Sequence, residues 1–288
     1  MIAIVAGTPL GAALATRLRS DGREVIAIEP GQSLEPLRAL RLVVVDAPAA
    51  DLLRLARALG DVLDGNHLVA HTIRGLTADG TGATQILHQE TAVRRLGVIA
   101  GPLAAADLQA GRPSAGVIAS RHPEVVEELS AAMSTPRLRL YRGHDPLGVE
   151  LASSLTDLVT VGCGLAHALG FGETSRALMI VRAVRELGRL IVALGGEVQT
   201  ASGLAGLGDI LVRSHDPESH FFRLGVELAG GSVSARAELV GNARTFRALG
   251  RHHRVPAHIF DGLAQLLEGK LAPAELVTHL MTVPILDD

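Results

Sequence analysis

The stretch Gly203–Asp209 reads GLAGLGD and ends in a lone carboxylate after a helix-like run. Glycines at that density let backbone approach something closely, and Asp209 is the acid left facing it. A second candidate for chemistry lies near the start of the chain. There an apolar run turns through Ala6-Gly7-Thr8-Pro9-Leu10-Gly11 into a helix-like stretch. A dinucleotide-binding turn would read G-x-G-x-x-G at this place. Its first glycine makes the turn, its second lets backbone reach a pyrophosphate, and its third packs helix on strand. Only Gly11, in the third place, fits. Ala6 and Thr8 hold the first two places, Gly7 stands out of register, and Pro9 removes one N–H from the turn. Glu29 ends the next apolar run, 18 residues beyond Gly11, about where an acid would bind a ribose hydroxyl. With the turn compromised, it reads more simply as a surface glutamate before Pro30-Gly31.

The remaining polar clusters carry less. His215, Asp216, Glu218 and His220 are loosely spaced around Pro217, which marks a loop, and no metal site is expected there. Cys163 is the single cysteine, so there is no disulfide framework and no cysteine metal cluster. It stands between Gly162 and Gly164, a setting for close helix packing. Lys270 is the only lysine and reads as a surface residue. Arg74, Arg213 and Arg223 could converge on one anion.

These residues need elements to hold them. Short β-branched runs at Ile2–Ala6, Glu24–Glu29, Arg41–Ala47, His67–Thr72, Gly97–Gly101 and Gly116–Ser120 alternate with helix-like stretches at Gly11–Ser20, Ala50–Leu63, Gly82–Leu96 and Pro123–Met133. That alternation predicts an α/β unit, a doubly wound Rossmann-like parallel sheet with helices on both faces. Leu138–Tyr141 closes it. From Asp145 the texture changes: Leu151, Leu155, Leu158, Gly162, Leu165 and Leu169 recur at three and four residues, and helical patterns continue through Ser175–Leu194, Phe222–Leu228, Val233–Leu249, His258–Leu267 and Ala272–Leu280. The expectation is a Rossmann-like domain over 1–144 and an all-helical domain over 145–288.

Composition bounds the partners. Apolar residues make up 48% of the 288, which is ample for a core, yet aromatics are only 2%, so Ala, Leu and Val must build it. A net charge of −3 gives no electrostatic case for nucleic acid or an anionic membrane. The apolar start of the chain lacks a basic leader and breaks at Gly7-Thr8-Pro9, so it reads as strand, turn and helix. No uncharged apolar run reaches the ~18 residues of a membrane span. A reducing, cytoplasmic setting is expected.

Several segments together resemble the NAD-dependent glycerol-3-phosphate dehydrogenase family. Gly101-Pro102 with Gly111-Arg112-Pro113 is similar to its GPSFA…GxP stretch, and Asp145–Asp157 (DPLGVELASSLTD) to its DVxGVELGGALKN helix. Ala168–Thr174 (ALGFGET) resembles its GLGFGDN turn, and Ala193–Gly196 with Gly203–Asp209 its ALGG…GLAGLGD. Leu266–Lys270 and Leu276–Met281 resemble its closing EGK…LM segment. The resemblance spans about 66–285, more weakly the N-terminus, and implies the same two-domain fold, NAD as the cofactor and self-association.

The family reduces dihydroxyacetone phosphate with hydride from NAD(P)H, and a lysine in ALKN supplies a proton and a charge to the new alkoxide. Thr156 stands at that lysine and Asp157 at the following asparagine. A second lysine, in SATKG, is matched by Arg74, which keeps the charge but does not release a proton readily. The substrate phosphate is held by an Arg-Asn pair in SRNRRFG, matched here by His220-Phe221. The family's VEG reads Leu239-Val240-Gly241. Asp209 alone is unchanged. The resemblance therefore predicts an old pocket, lined by Arg74, Thr156, Asp157, Asp209, His220 and Phe221, that has lost the family reaction. The chain then acts as a homo-oligomeric binding, regulatory or scaffold protein, its partner another protein or a small anionic ligand, and no resident cofactor is expected. The alternative is an oxidoreductase of the same family with altered substrate or cofactor, His71 or His220 donating the proton.

Overall fold

The structure, a computed structural model, describes residues 1–77, 80–231 and 233–276, for 233–238 the backbone alone. The parts of Ala272–Leu280 and Leu276–Met281 beyond 276 lie outside the described residues.

Seven strands form one sheet: β1 (Ile2–Ala6), β2 (Val25–Ile28), β3 (Leu42–Asp46), β4 (Leu68–His71), β5 (Arg95–Ala100), β6 (Ser114–Ser120) and β7 (Leu138–Gly143). Their order is β2-β1-β3-β4-β5-β6-β7. Among the described residues five α-helices accompany them: α1 (Pro9–Ser20), α2 (Leu52–Gly60), α3 (Ala83–Glu90), α4 (Ala105–Gln109) and α5 (Pro123–Met133). Side chains alternate across the sheet. Ile2, Ile4, Val44 and Leu68 pack on one face with Leu14, Leu18, Val125 and Leu129. Ala3, Val5, Val43, Val45 and Val69 pack on the other with Leu52, Leu59 and Leu87. Burial on both faces explains why the strands read as unbroken apolar runs.

All strand pairs are parallel except β5 with β6, which run antiparallel. The chain returns from β5 to β6 through the short α4, and an antiparallel neighbour needs no helical crossover. The helix expected to run to Leu96 stops at Glu90, and the apolar run after it is β5.

The helical part follows with α6 (Pro146–Ala168), α7 (Glu173–Ala193), α8 (Val198–Ser202), α9 (Asp209–Ser214), α10 (His220–Ala229), α11 (Val233–His252) and α12 (His258–Leu267). Asp145 starts α6 by accepting the Gly148 N–H at 2.8 Å, with Pro146 in the first turn. That helix is long and apolar enough to cross a membrane by length and composition, but its apolar window is wholly buried, as in a core helix. α6 and α10 meet backbone to backbone. A Cβ on Gly164 would strike the Phe222 carbonyl, and one on Gly225 the Val161 carbonyl.

Two compact units emerge: 1–75 with 81–151, and 76–80 with 152–288. The change of texture at Asp145 marks the start of α6, whereas the units divide inside that helix, after Leu151, because its first turns group with the sheet. Of the described residues before the helical unit, Leu76, Thr77 and Gly80 group with it and form a strap. The Thr77 carbonyl lies 3.2 Å from Thr245 Oγ1 of α11.

Candidate functional site

In the sheet unit the turn from β1 to α1 is closed on itself. Thr8 is the N-cap of α1, and its Oγ1 accepts the Leu10 N–H at 3.2 Å. Pro9 has no N–H. The carboxylate of Asp46, last residue of β3, accepts the Thr8 N–H at 2.8 Å and the Gly11 N–H at 3.2 Å, both on Oδ2. Its Oδ1 accepts from Thr72 Oγ1 at 2.6 Å. Gly7 N donates to the Asp46 carbonyl at 2.8 Å, and Ala12 N to the Thr8 carbonyl at 3.3 Å. Every backbone donor from Gly7 to Ala12 is thereby spent. A dinucleotide pyrophosphate is held in this fold by such N–H groups at the helix end, so the residues present do not fit that group. Glu29 directly follows β2, exposed, its own N–H bonded to Gln32 Oε1 at 2.8 Å.

His71 ends β4 and is fully buried. Its Nε2 lies 2.9 Å from Thr84 Oγ1 and 3.7 Å from Glu150 Oε1. Burial disfavours the imidazolium and pushes its pKa below the ordinary histidine value, with Glu150 pulling the other way. A sealed, bonded imidazole is poorly placed to hand a proton to a substrate. Arg74 follows, half-buried.

In the helical unit, the GLAGLGD segment forms a single π turn over Leu204–Gly208, closed by the Gly208 N–H on the Gly203 carbonyl at 3.0 Å. A Cβ on Gly206 would strike the Ala201 carbonyl, so that glycine serves a close backbone approach. The turn delivers Asp209 to the start of α9, fully buried. Thr156 Oγ1, on α6 and also fully buried, lies 3.0 Å from Asp209 Oδ2 and 2.9 Å from the Ser153 carbonyl. Arg213, one turn along α9, donates from Nε to Asp209 Oδ1 at 2.7 Å and brings Nη1 within 3.8 Å of Asp157 Oδ1. Burial disfavours the guanidinium charge, but the two carboxylates overcome it and raise the Arg213 pKa above its usual value. Thr156, Asp157, Asp209 and Arg213 thus form one ion-pair and hydroxyl cluster. The cluster sets two carboxylates against one guanidinium, so it holds neither surplus positive charge for a developing alkoxide nor a ready proton donor.

The other expected pocket residues fall on α10. His220 and Phe221 are neighbours with ring centroids 5.1 Å apart, His220 exposed. Arg223 pairs with Glu218 at 3.4 Å on the surface. His215 Nδ1 lies 2.9 Å from the Leu211 carbonyl. Among the described residues no group of three metal-ligating side chains gathers. Burial pushes the Cys163 thiol up to about 12, away from any nucleophilic role at neutral pH. Asp46 escapes the sequence reading. The only signal is an acid closing the apolar run LVVVD, and its partners lie 35 and 38 residues upstream.

Comparison with known proteins agrees with this frame. The family model described as NAD-dependent glycerol-3-phosphate dehydrogenase C-terminus matches residues 145–278. Among curated proteins, the chain is 30% identical over 266 residues to "Glycerol-3-phosphate dehydrogenase [NAD(P)+]" of Agrobacterium fabrum, covering 88% of this chain and 80% of that protein. It is 34% identical over 262 residues to the protein of that name from Delftia acidovorans, covering 85% and 77%. Among solved structures, glycerol-3-phosphate dehydrogenase from Coxiella burnetii superposes with a TM-score of 0.89 at 24% identity, covering 98% of each chain, which speaks to the fold. Fold and extended sequence identity agree: the chain belongs to the glycerol-3-phosphate dehydrogenase family.

Proposed function

We infer that this family member has lost the family reaction and serves as a homo-oligomeric binding protein on the dehydrogenase fold. The observation that carries the reading is at Thr156. Where the family places its lysine, this chain has a sealed hydroxyl tied to Asp209, and the guanidinium of Arg213 beside it is already engaged by that carboxylate. A guanidinium holds its proton far too firmly to reprotonate an alkoxide. Phe221 in place of the phosphate-binding asparagine removes a further contact.

A second reading, an NAD(P)-linked oxidoreductase with altered substrate or cofactor, draws its support from the relatives. The curated relatives named above are called dehydrogenases, and on names alone an enzyme is the better supported.

Oxidation of NADH and of NADPH in the presence of dihydroxyacetone phosphate separates the two readings. The expected rate is at least ~10³-fold below that of the Agrobacterium relative assayed alongside, given the loss of charge-stabilising and proton-donating groups. A rate comparable to the relative's overturns the first reading. Turnover of a different keto acid or keto phosphate, with a rise in Tm on adding cofactor, establishes the second.

A further inference from the structure

We propose that Asp46 is a built-in counter-anion that occupies the α1 helix end and keeps a nicotinamide dinucleotide from binding to the sheet unit. This deepens the first reading of function and is read by binding, apart from turnover.

The N-terminus of a helix carries roughly half a unit of positive charge and unpaired N–H groups, which is why it attracts phosphate. At α1 both attractions are already answered from within. One carboxylate oxygen takes two of the N–H groups and the other is pinned by Thr72, so the side chain accepts three bonds and is only 2% exposed. Accepting on both oxygens from N–H and O–H groups is the pattern of an acceptor-only carboxylate. A pyrophosphate arriving here would meet spent donors and a fixed like charge in place of an empty, positive cradle.

Gly11, the one glycine in its motif place, and the out-of-register Gly7 fit the same account. A Cβ on Gly11 would stand 2.5 Å from Asp46 Oδ2 and 2.9 Å from Asp46 Cβ. A Cβ on Gly7 would stand 2.6 Å from the Asp46 carbonyl and 3.0 Å from Ala47 Cα. Both glycines make room for the end of β3. Gly11 leaves room for the Asp46 side chain and for the Ala6 Cα at 2.9 Å, and Gly7 for the β3 backbone, so close packing already accounts for both glycines.

The test is NADH binding by the full chain, followed by cofactor fluorescence and by Tm, for the wild type, Asp46→Ala and Asp46→Asn. Wild type is expected to bind at best in the millimolar range. D46A, which frees both N–H groups and removes the charge, should bind at least tenfold more tightly, and D46N should fall between. If D46A does not fold, D46N carries the test, with any tightening under twofold counting against the proposal. Micromolar NADH binding by the wild type overturns it, as does unchanged affinity in both variants. Tight wild-type binding without turnover would sink this inference alone. Dihydroxyacetone phosphate turnover at a family rate would sink the reading of function.

Discussion

At Thr156 a one-residue change is joined to its surroundings on three sides. The hydroxyl reaches Asp209, Asp209 is held by Arg213, and Arg213 also approaches Asp157. A lysine introduced at 156 would meet a carboxylate already engaged by a guanidinium, with the helix-end donors of α1 still spent. Thr156→Lys alone is therefore expected to give no detectable NADH oxidation with dihydroxyacetone phosphate, and rescue would show that the remaining changes matter little. The losses at 156, 157, 220 and 221 are legible in sequence because each lies in a recognisable segment. The compensation is not, since Asp157 and Arg213 sit on different helices and their proximity exists only in the fold. Asp46 was hidden for the same reason, its partners being supplied by another strand–helix turn.

The sequence marks its elements more clearly than their ends. Ile2–Ala6 and Pro123–Met133 match β1 and α5 residue for residue, because turn residues and proline bound them sharply. No such punctuation separates Glu90 from Arg95, and there the helical pattern ran into strand. One contact between elements makes a pH prediction. The first turn of α12 lacks a cap from its own N-cap residue; instead Glu186 of α7 accepts the Ile259 N–H on its two oxygens at 3.0 and 2.9 Å. Burial outweighs those bonds and pushes the Glu186 carboxyl up to about 7 from an ordinary 4.5. Since the folded value is the higher, protonation favours folding. The contribution is fully present below about pH 4.5 and is lost as pH rises through about 7, up to about 3 kcal/mol at roughly 1.4 kcal/mol per unit. Glu186→Gln should thus gain stability relative to wild type between those pH values in urea unfolding, and a constant difference across the range would contradict this.

On the scale of the whole chain, the sheet and the helical unit each followed from hydrophobic period, but their membership did not. Nothing in the sequence says that Leu76–Gly80 belongs with helices more than a hundred residues away. The helical unit also carries apolar side chains in water. α7 exposes Leu178, Val181 and Val192 on one helical face, at 44%, 55% and 52%. Exposed apolar side chains in such a row favour self-association. Sedimentation is expected to give a species larger than the 30.0 kDa chain, and Val181→Lys to shift it toward the monomer; a wild-type monomer at micromolar concentration would rule this out.

The strap has a consequence in time. Thr77 and Thr245 are 168 residues apart. On a ribosome adding about 5–20 residues per second, Leu76–Gly80 emerges roughly ten to thirty seconds before α11 exists to receive it. At the start of that interval the sheet unit still lacks β5, β6 and β7, which are made well before α11. Nor can the helical unit be made whole as one contiguous fragment: a chain begun at 152 lacks the strap, which must be supplied from upstream.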